Sequence, residues 1–189
     1  RLHIGLTPLN TTGKLLVASP LMGDQNFERS VVLMIDHAQH GAVGLVLNRP
    51  TQMPTTELLP EWTNNSNLIQ TIFNGGPVEP DSFLALGRFI GEANNDRHYV
   101  FANVGIIDLE TDPLALPPTV SEIKIFSGYS GWGPMQLDSE LASDAWFVVE
   151  ADPFDIFSSN HEELWSIILR RQEGPMAWLS NYPPDPRLN

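Results

Sequence analysis

Ser30-Val31-Val32-Leu33-Met34-Ile35-Asp36-His37-Ala38-Gln39-His40-Gly41-Ala42-Val43-Gly44-Leu45-Val46-Leu47 is the stretch that decides the fold. Residues 30–35 and 42–47 are apolar runs rich in Val, Leu and Ile, of strand length and too short for membrane spans. Between them, residues 36–41 form a polar segment of hairpin-loop length in which Gly41 can supply a positive φ. Two buried strands in antiparallel pairing follow.

Working outward, Leu15-Leu16-Val17-Ala18 is a third run of the same kind. Residues 69–73, 83–86, 99–102, 122–126 and 145–149 give about five more strands, separated by Gly and Pro. Helices are few. The best spans residues 160–171, with Leu164, Ile167, Ile168 and Arg171 on one face, Asn160 as N-cap, Glu163 at the reciprocal position, and Gly174-Pro175 as the stop. A second is expected over residues 134–143 with Pro134 in its first turn, and a short third over residues 55–59 after Pro54. No internal repeat or linker divides the 189 residues, so they read as a single α+β domain.

Charge narrows the function. Acidic side chains number 23 against 10 basic ones, for a net charge of -13. Such a surface repels phosphate backbones and argues against direct nucleic-acid binding. Residues 125–169 contain no Lys or Arg but do contain Asp138, Glu140, Asp144, Glu150, Asp152, Asp155, Glu162 and Glu163. That stretch is either a solvated acidic face or a dock for a basic protein partner. The absence of cysteine excludes a thiolate nucleophile and a disulfide framework, and fits a cytoplasmic location with no membrane segment.

Several ordered motifs carry a family resemblance. Leu15-Leu16-Val17-Ala18-Ser19-Pro20, Phe27-Glu28-Arg29-Ser30-Val31-Val32 and Gly41-Ala42-Val43-Gly44-Leu45-Val46-Leu47-Asn48-Arg49-Pro50 resemble, in order and spacing, the N-terminal signature of the AlgH/YqgE family. Gly75-Gly76-Pro77-Val78 and Gly128-Tyr129-Ser130-Gly131-Trp132-Gly133-Pro134-Met135-Gln136-Leu137 resemble its later motifs, and Ala145-Trp146 with Leu164-Trp165 its C-terminal part. The similarity extends over about residues 14–172. Met135-Gln136-Leu137-Asp138 stands where the family has Gly-Gln-Leu-Glu. The resemblance implies an α+β fold of several coiled, mostly antiparallel β-sheets with a barrel-like portion and flanking helices. Family members carry the label of transcriptional regulators, but this sequence shows no recognised DNA-binding motif.

The candidate ligand-binding residues are Arg29, Asn48, Arg49, Gly75, Gly76, Tyr129, Trp132 and Gln136. Arg49 follows a strand and Arg29 precedes one, so their guanidinium forks either pair with carboxylates such as Asp24 or Asp36 or hold a small anionic ligand. Residues 128–133 lack the Gly-Lys-Ser/Thr of a P-loop and the final glycine of a hydrolase elbow, and read as a tight turn with Trp132 packed on it. Asn74-Gly75-Gly76-Pro77 reads as a turn closing a strand. Asp36, His37 and His40 have the spacing of a loop and lack the rigid helix of a metal motif, and His161-Glu162-Glu163 is not H-E-x-x-H; neither metal nor cofactor is expected. The aromatic residues of the C-terminal third either pack the core or form a protein-binding patch.

Three readings result. The first is a non-catalytic binding or regulatory domain acting through protein contacts or a small anionic ligand. The second is a hydrolase-type enzyme using Ser30, Asp36 or His37 near Arg29 and Arg49, if those side chains converge. The third is a transcriptional regulator that contacts DNA directly.

Overall fold

Strands whose apolar side chains do not alternate with polar ones need a sheet covered on both faces. The computed structural model, which describes residues 10–20, 22–62, 64–91 and 99–182, contains such a sheet. β1 (Leu15–Ala18), β2 (Val31–Ala38) and β3 (Gly41–Val46) are antiparallel neighbours, with Leu16 opposite Val32 and Val32 opposite Val46. Leu15, Val17, Val31 and Leu33 enter the main core, while Leu16, Ala18, Val32 and Met34 enter a second core on the other face.

The β2–β3 hairpin is tighter than its polar segment predicts. Pairing slips by one residue between Met34 and Asp36, and Asp36, His37 and Ala38 continue the strand opposite Val43, Ala42 and Gly41. Only Gln39 and His40 turn the chain, and His37 becomes buried.

β9 (Val120–Trp132) is the spine of the fold. Along most of its length it pairs antiparallel with β6 (Val78–Phe89), while β5 (Thr71–Asn74) runs parallel to it at Phe126 and Ser127. Its last three residues pair with β3, Trp132 opposite Ala42 and Ser130 opposite Gly44. The glycine-rich run is therefore a strand and not the expected tight turn, because those β3 partners hold it extended. Gly128, at φ 69, marks an irregularity within it.

β7 (Tyr99–Phe101) and β8 (Val104–Ile107) continue the sheet beyond β6, and β10 (Trp146–Val149) flanks β1. β4 (Pro50–Pro54) pairs only with β5. Among the described residues the strand path β10-β1-β2-β3-β9-β6-β8-β7 is open. The barrel-like portion implied by the resemblance is thus replaced by an open, branched, mostly antiparallel sheet. The α+β class holds.

Helices cover the sheet. α1 (Thr55–Leu58) follows Pro54 as expected. α3 (Pro153–Phe157), which was not anticipated, starts with a capping box: the Phe154 amide donates to Asp152, and the Asp152 amide donates to Asp155. α4 (Leu164–Arg170) is shorter than residues 160–171, since Asn160 makes no side-chain cap and His161–Glu163 form a 3-10 turn. Its buried face is Leu164, Trp165, Ile168 and Leu169, and Trp165 Nε1 donates to the Ala18 carbonyl at 2.8 Å, tying α4 to β1. Burying that one indole stabilises the fold by roughly 2–3 kcal/mol.

α2 (Gln136–Ala142) begins after Met135, which takes the left-handed conformation at φ 61. An L-residue there costs about 1 kcal/mol, which glycine does not incur. Met135→Gly is therefore expected to raise stability by about 0.5 kcal/mol after the added unfolded-state entropy is subtracted, read as a higher urea midpoint.

Candidate functional site

Arg29 and Arg49 do not form a shared clamp. Arg29 stacks its guanidinium 4.3 Å over the Trp165 ring, and its Nη1 donates to the Tyr182 carbonyl at 2.9 Å. It thereby fastens the C-terminal 3-10 helix, Gly174–Asn181, to the sheet side of the core. Asn48 extends the β2–β3 pairing through its side chain, accepting from the Val31 amide at 3.0 Å and donating to the Arg29 carbonyl at 3.0 Å.

Arg49 donates to the Glu28 carbonyl at 2.7 Å. Burial lowers its pKa, while the negative charges of Glu28 and Asp24 oppose that shift. It lines a depression of about 70 Å³ with Val46, Asn74, Gly76 and Pro77. Arg49 and Gly76 are thus brought together as the sequence suggests. Gly75 turns its carbonyl inward to the Val46 amide at 3.0 Å and to Ser130 Oγ at 3.1 Å, and Tyr129 packs against the main core.

Trp132 and Gln136 belong to a different place, built around Glu140. Glu140 Oε1 accepts from Trp132 Nε1 at 3.2 Å and Trp146 Nε1 at 2.9 Å, while Oε2 accepts from Gln136 Nε2 at 3.0 Å. Phe27 stacks on Trp132 and meets Trp146 edge-on. The protein's own carboxylate fills this aromatic box, so its donors are already satisfied.

The hydrolase candidates are dispersed. Ser30 donates to the Phe27 carbonyl at 2.6 Å, and Asp36 lies 3.7 Å from His40 at the surface. His37 is seven residues from Ser30 along an extended strand, roughly 20 Å away. Its Nδ1 accepts from the Thr11 amide at 3.2 Å, which leaves Nε2 as the proton-bearing nitrogen 3.5 Å from Asp138. Thr11 Oγ1, 3.0 Å from Nδ1, completes a hydroxyl–imidazole–carboxylate series, but Thr11 is fully buried and closed to a substrate. Among the described residues no His, Cys, Asp and Glu cluster has the make-up of a metal site. His3 and His98 lie outside the described residues.

Two features escaped the sequence reading. Lys124 on β9 is buried, with Nζ donating to the Leu47 carbonyl at 2.7 Å and the Ile156 carbonyl at 2.9 Å, and lying 3.8 Å from the Phe73 ring centroid. Desolvation lowers its pKa from 10.5 to about 7. Its signal was a lone cation inside the apolar run Ile123-Lys124-Ile125-Phe126.

The other is an open groove of about 880 Å³ between the loop after β1, the start of β10 and the C-terminal 3-10 helix. Pro20, Met22, Phe147, Leu179 and Tyr182 form its apolar wall, with Asp144 on the rim. Its walls come from three distant parts of the chain, so no local motif could disclose it.

These features place the chain in a class: an α+β domain with an open ten-stranded sheet and a groove at one end of it. It belongs to the AlgH-like family (DUF179), whose model matches residues 15–177. A UPF0301 protein of Streptomyces coelicolor is 44% identical, over 98% of this chain and 99% of that one. A Thermobifida fusca UPF0301 protein is 38% identical over 96% of each. Among solved structures, a Corynebacterium diphtheriae protein superposes with a TM-score of 0.83 at 28% identity, covering 90% of this chain and 91% of that chain. The AlgH protein of Pseudomonas aeruginosa gives 0.68 at 28% identity, with coverages of 94% and 96%. No helix among the described residues is long and apolar enough to cross a membrane.

Proposed function

We propose that this chain is a non-catalytic binding domain that acts through protein contact, with the groove beside β10 as its recognition site. The observation that carries this reading is the groove itself. At about 880 Å³, with an apolar wall and a polar rim, it has the size and lining of a binding cleft.

The rival readings have less support. A small anion would centre on Arg49, where the depression is about 70 Å³ and Asp24 and Glu28 oppose a negative guest. Direct DNA contact needs clustered free cations, but among the described residues Lys14, Arg88 and Arg171 are paired with Glu150, Glu122 and Asp155, Lys124 is buried, and Arg29 is turned onto Trp165. Hydrolysis needs Ser30, Asp36 or His37 to converge with Arg29 and Arg49, and each of these side chains is turned to a different neighbour.

The test is cross-linked capture from the source cell with wild type, with Met22→Glu, which puts a charge in the groove wall, and with Met135→Glu, which alters an exposed methionine elsewhere. A partner retained by Met135→Glu and depleted at least about ten-fold by Met22→Glu is expected. Partners insensitive to Met22→Glu, or none, would remove the groove from the account.

A further inference from the structure

We infer that the groove receives an extended, cationic segment of a partner protein, with an arginine or lysine held on the face of Trp178 and apolar side chains against Phe147 and Leu179. This deepens the reading above and rests on it: that reading says where the partner binds, and this one says what kind of segment it is.

Three observations converge on that chemistry. The first is shape and lining. Leu179 and Tyr182 are three residues apart along a 3-10 turn, so both face the groove, as its lining shows. Across from them, Pro20, Met22 and Phe147 supply a wall suited to aliphatic side chains.

The second is Trp178. It stands next to Leu179, one third of a turn round the same 3-10 helix, and 82% of its surface is exposed. Most indoles in this chain are put to internal use: Trp132 and Trp146 on Glu140, Trp165 on Ala18, and Trp62 in the core. Trp178 is not part of the groove lining but adjoins it directly at Leu179; an exposed tryptophan so placed is a typical interface anchor, and its ring face attracts guanidinium and ammonium groups.

The third is charge. β10 and the residues leading into it lie inside the long segment without Lys or Arg, Asp144 lines the groove, and the chain as a whole carries -13. Arg29, which reaches the groove-lining residue Tyr182, is turned inward onto Trp165 and the Tyr182 carbonyl. A basic segment is drawn to this end of the molecule, whereas a second copy would bring another 13 negative charges with it.

The test is fluorescence anisotropy with four labelled hexapeptides: Arg-Leu-Arg-Leu-Arg-Leu, its Glu-Leu and Ser-Leu counterparts, and Arg-Ser-Arg-Ser-Arg-Ser. The Arg-Leu peptide should bind more tightly than each of the others by at least about ten-fold, and added salt should weaken it. Trp178→Ala, which alters a side chain outside the core, should weaken it by a similar factor, and so should Met22→Glu. Equal binding of the Ser-Leu peptide, lost on Met22→Glu, overturns the cationic inference and leaves the groove reading intact. Equal binding of the Arg-Ser peptide, or Arg-Leu binding indifferent to both substitutions, overturns the inference by placing the contact elsewhere. Concentration-dependent dimerisation abolished by Trp178→Ala also overturns it, because the occupant is then another copy of this chain.

Discussion

Alanine at Gly76 is expected to destabilise the protein by at least about 3 kcal/mol, a large share of an ordinary domain's stability. An added Cβ would lie 2.2 Å from the Tyr129 carbonyl carbon, 2.3 Å from its oxygen and 2.4 Å from the Ser130 nitrogen, and Gly76 has φ 153. All three atoms are backbone. They cannot retreat, because the same segment is pinned by the Gly75 amide to the Ser127 carbonyl at 2.8 Å and by Ser130 Oγ to the Gly75 carbonyl. Gly23→Ala, where an added Cβ meets nothing within 4 Å, is the matched control and should be close to neutral. Urea unfolding of the two variants settles the matter: a Gly76→Ala protein with wild-type stability would falsify the close approach of this turn to β9.

Lys124 gives the second large effect, one that depends on pH. Its folded pKa of about 7 is below the ordinary 10.5, because burial disfavours the charged form. Below pH 7 both folded and unfolded chains hold the proton, and the folded state bears the full cost of a buried ammonium. Above pH 7 the folded chain releases the proton while the unfolded chain keeps it up to about 10.5, so stability rises with pH across that window. Between pH 7 and 9 the gain is about 2 kcal/mol. Lys124→Met removes the titrating group and should flatten the profile, whatever its effect on absolute stability. Urea midpoints at pH 7, 8 and 9 give the answer, and a wild-type profile that is level or falls over that range sinks the prediction.

The parts of this fold that the sequence disclosed are those where local pattern and tertiary environment agree. The apolar runs of β1, β2 and β3 are buried on both faces, so their hydrophobicity is continuous and easily recognised. Proline marked the start of α1, and the Asn74-Gly75-Gly76-Pro77 turn was readable because its glycines answer a backbone need. The failures have physical causes too. Residues 128–132 have turn composition but strand geometry, because partners more than fifty residues away in sequence, at Val78 and on β3, hold them extended. β4 carries proline at both ends and exposed Gln52 and Met53, so it lacks the signature of a buried strand. Asp152, Pro153 and Asp155 did spell out a helix start for α3, and that signal was overlooked.

The candidate site was less legible than the fold. Arg29, Asn48, Trp132 and Gln136 were reasonable choices by residue type, but each is used within the protein, on Tyr182, Val31, Glu140 and Gly133 respectively. A side chain's chemistry shows what it can bind, while only the fold shows whether a neighbour has already bound it. Only Arg49 and Gly76 came together around a depression.

β9 serves both halves of the sheet at once: β6 and β5 lean on its earlier residues and β3 on its last three. Cutting the chain before Val120 would strip an inner neighbour from each half. An engineer seeking a smaller folded fragment would therefore have to keep this strand with the strands that border it.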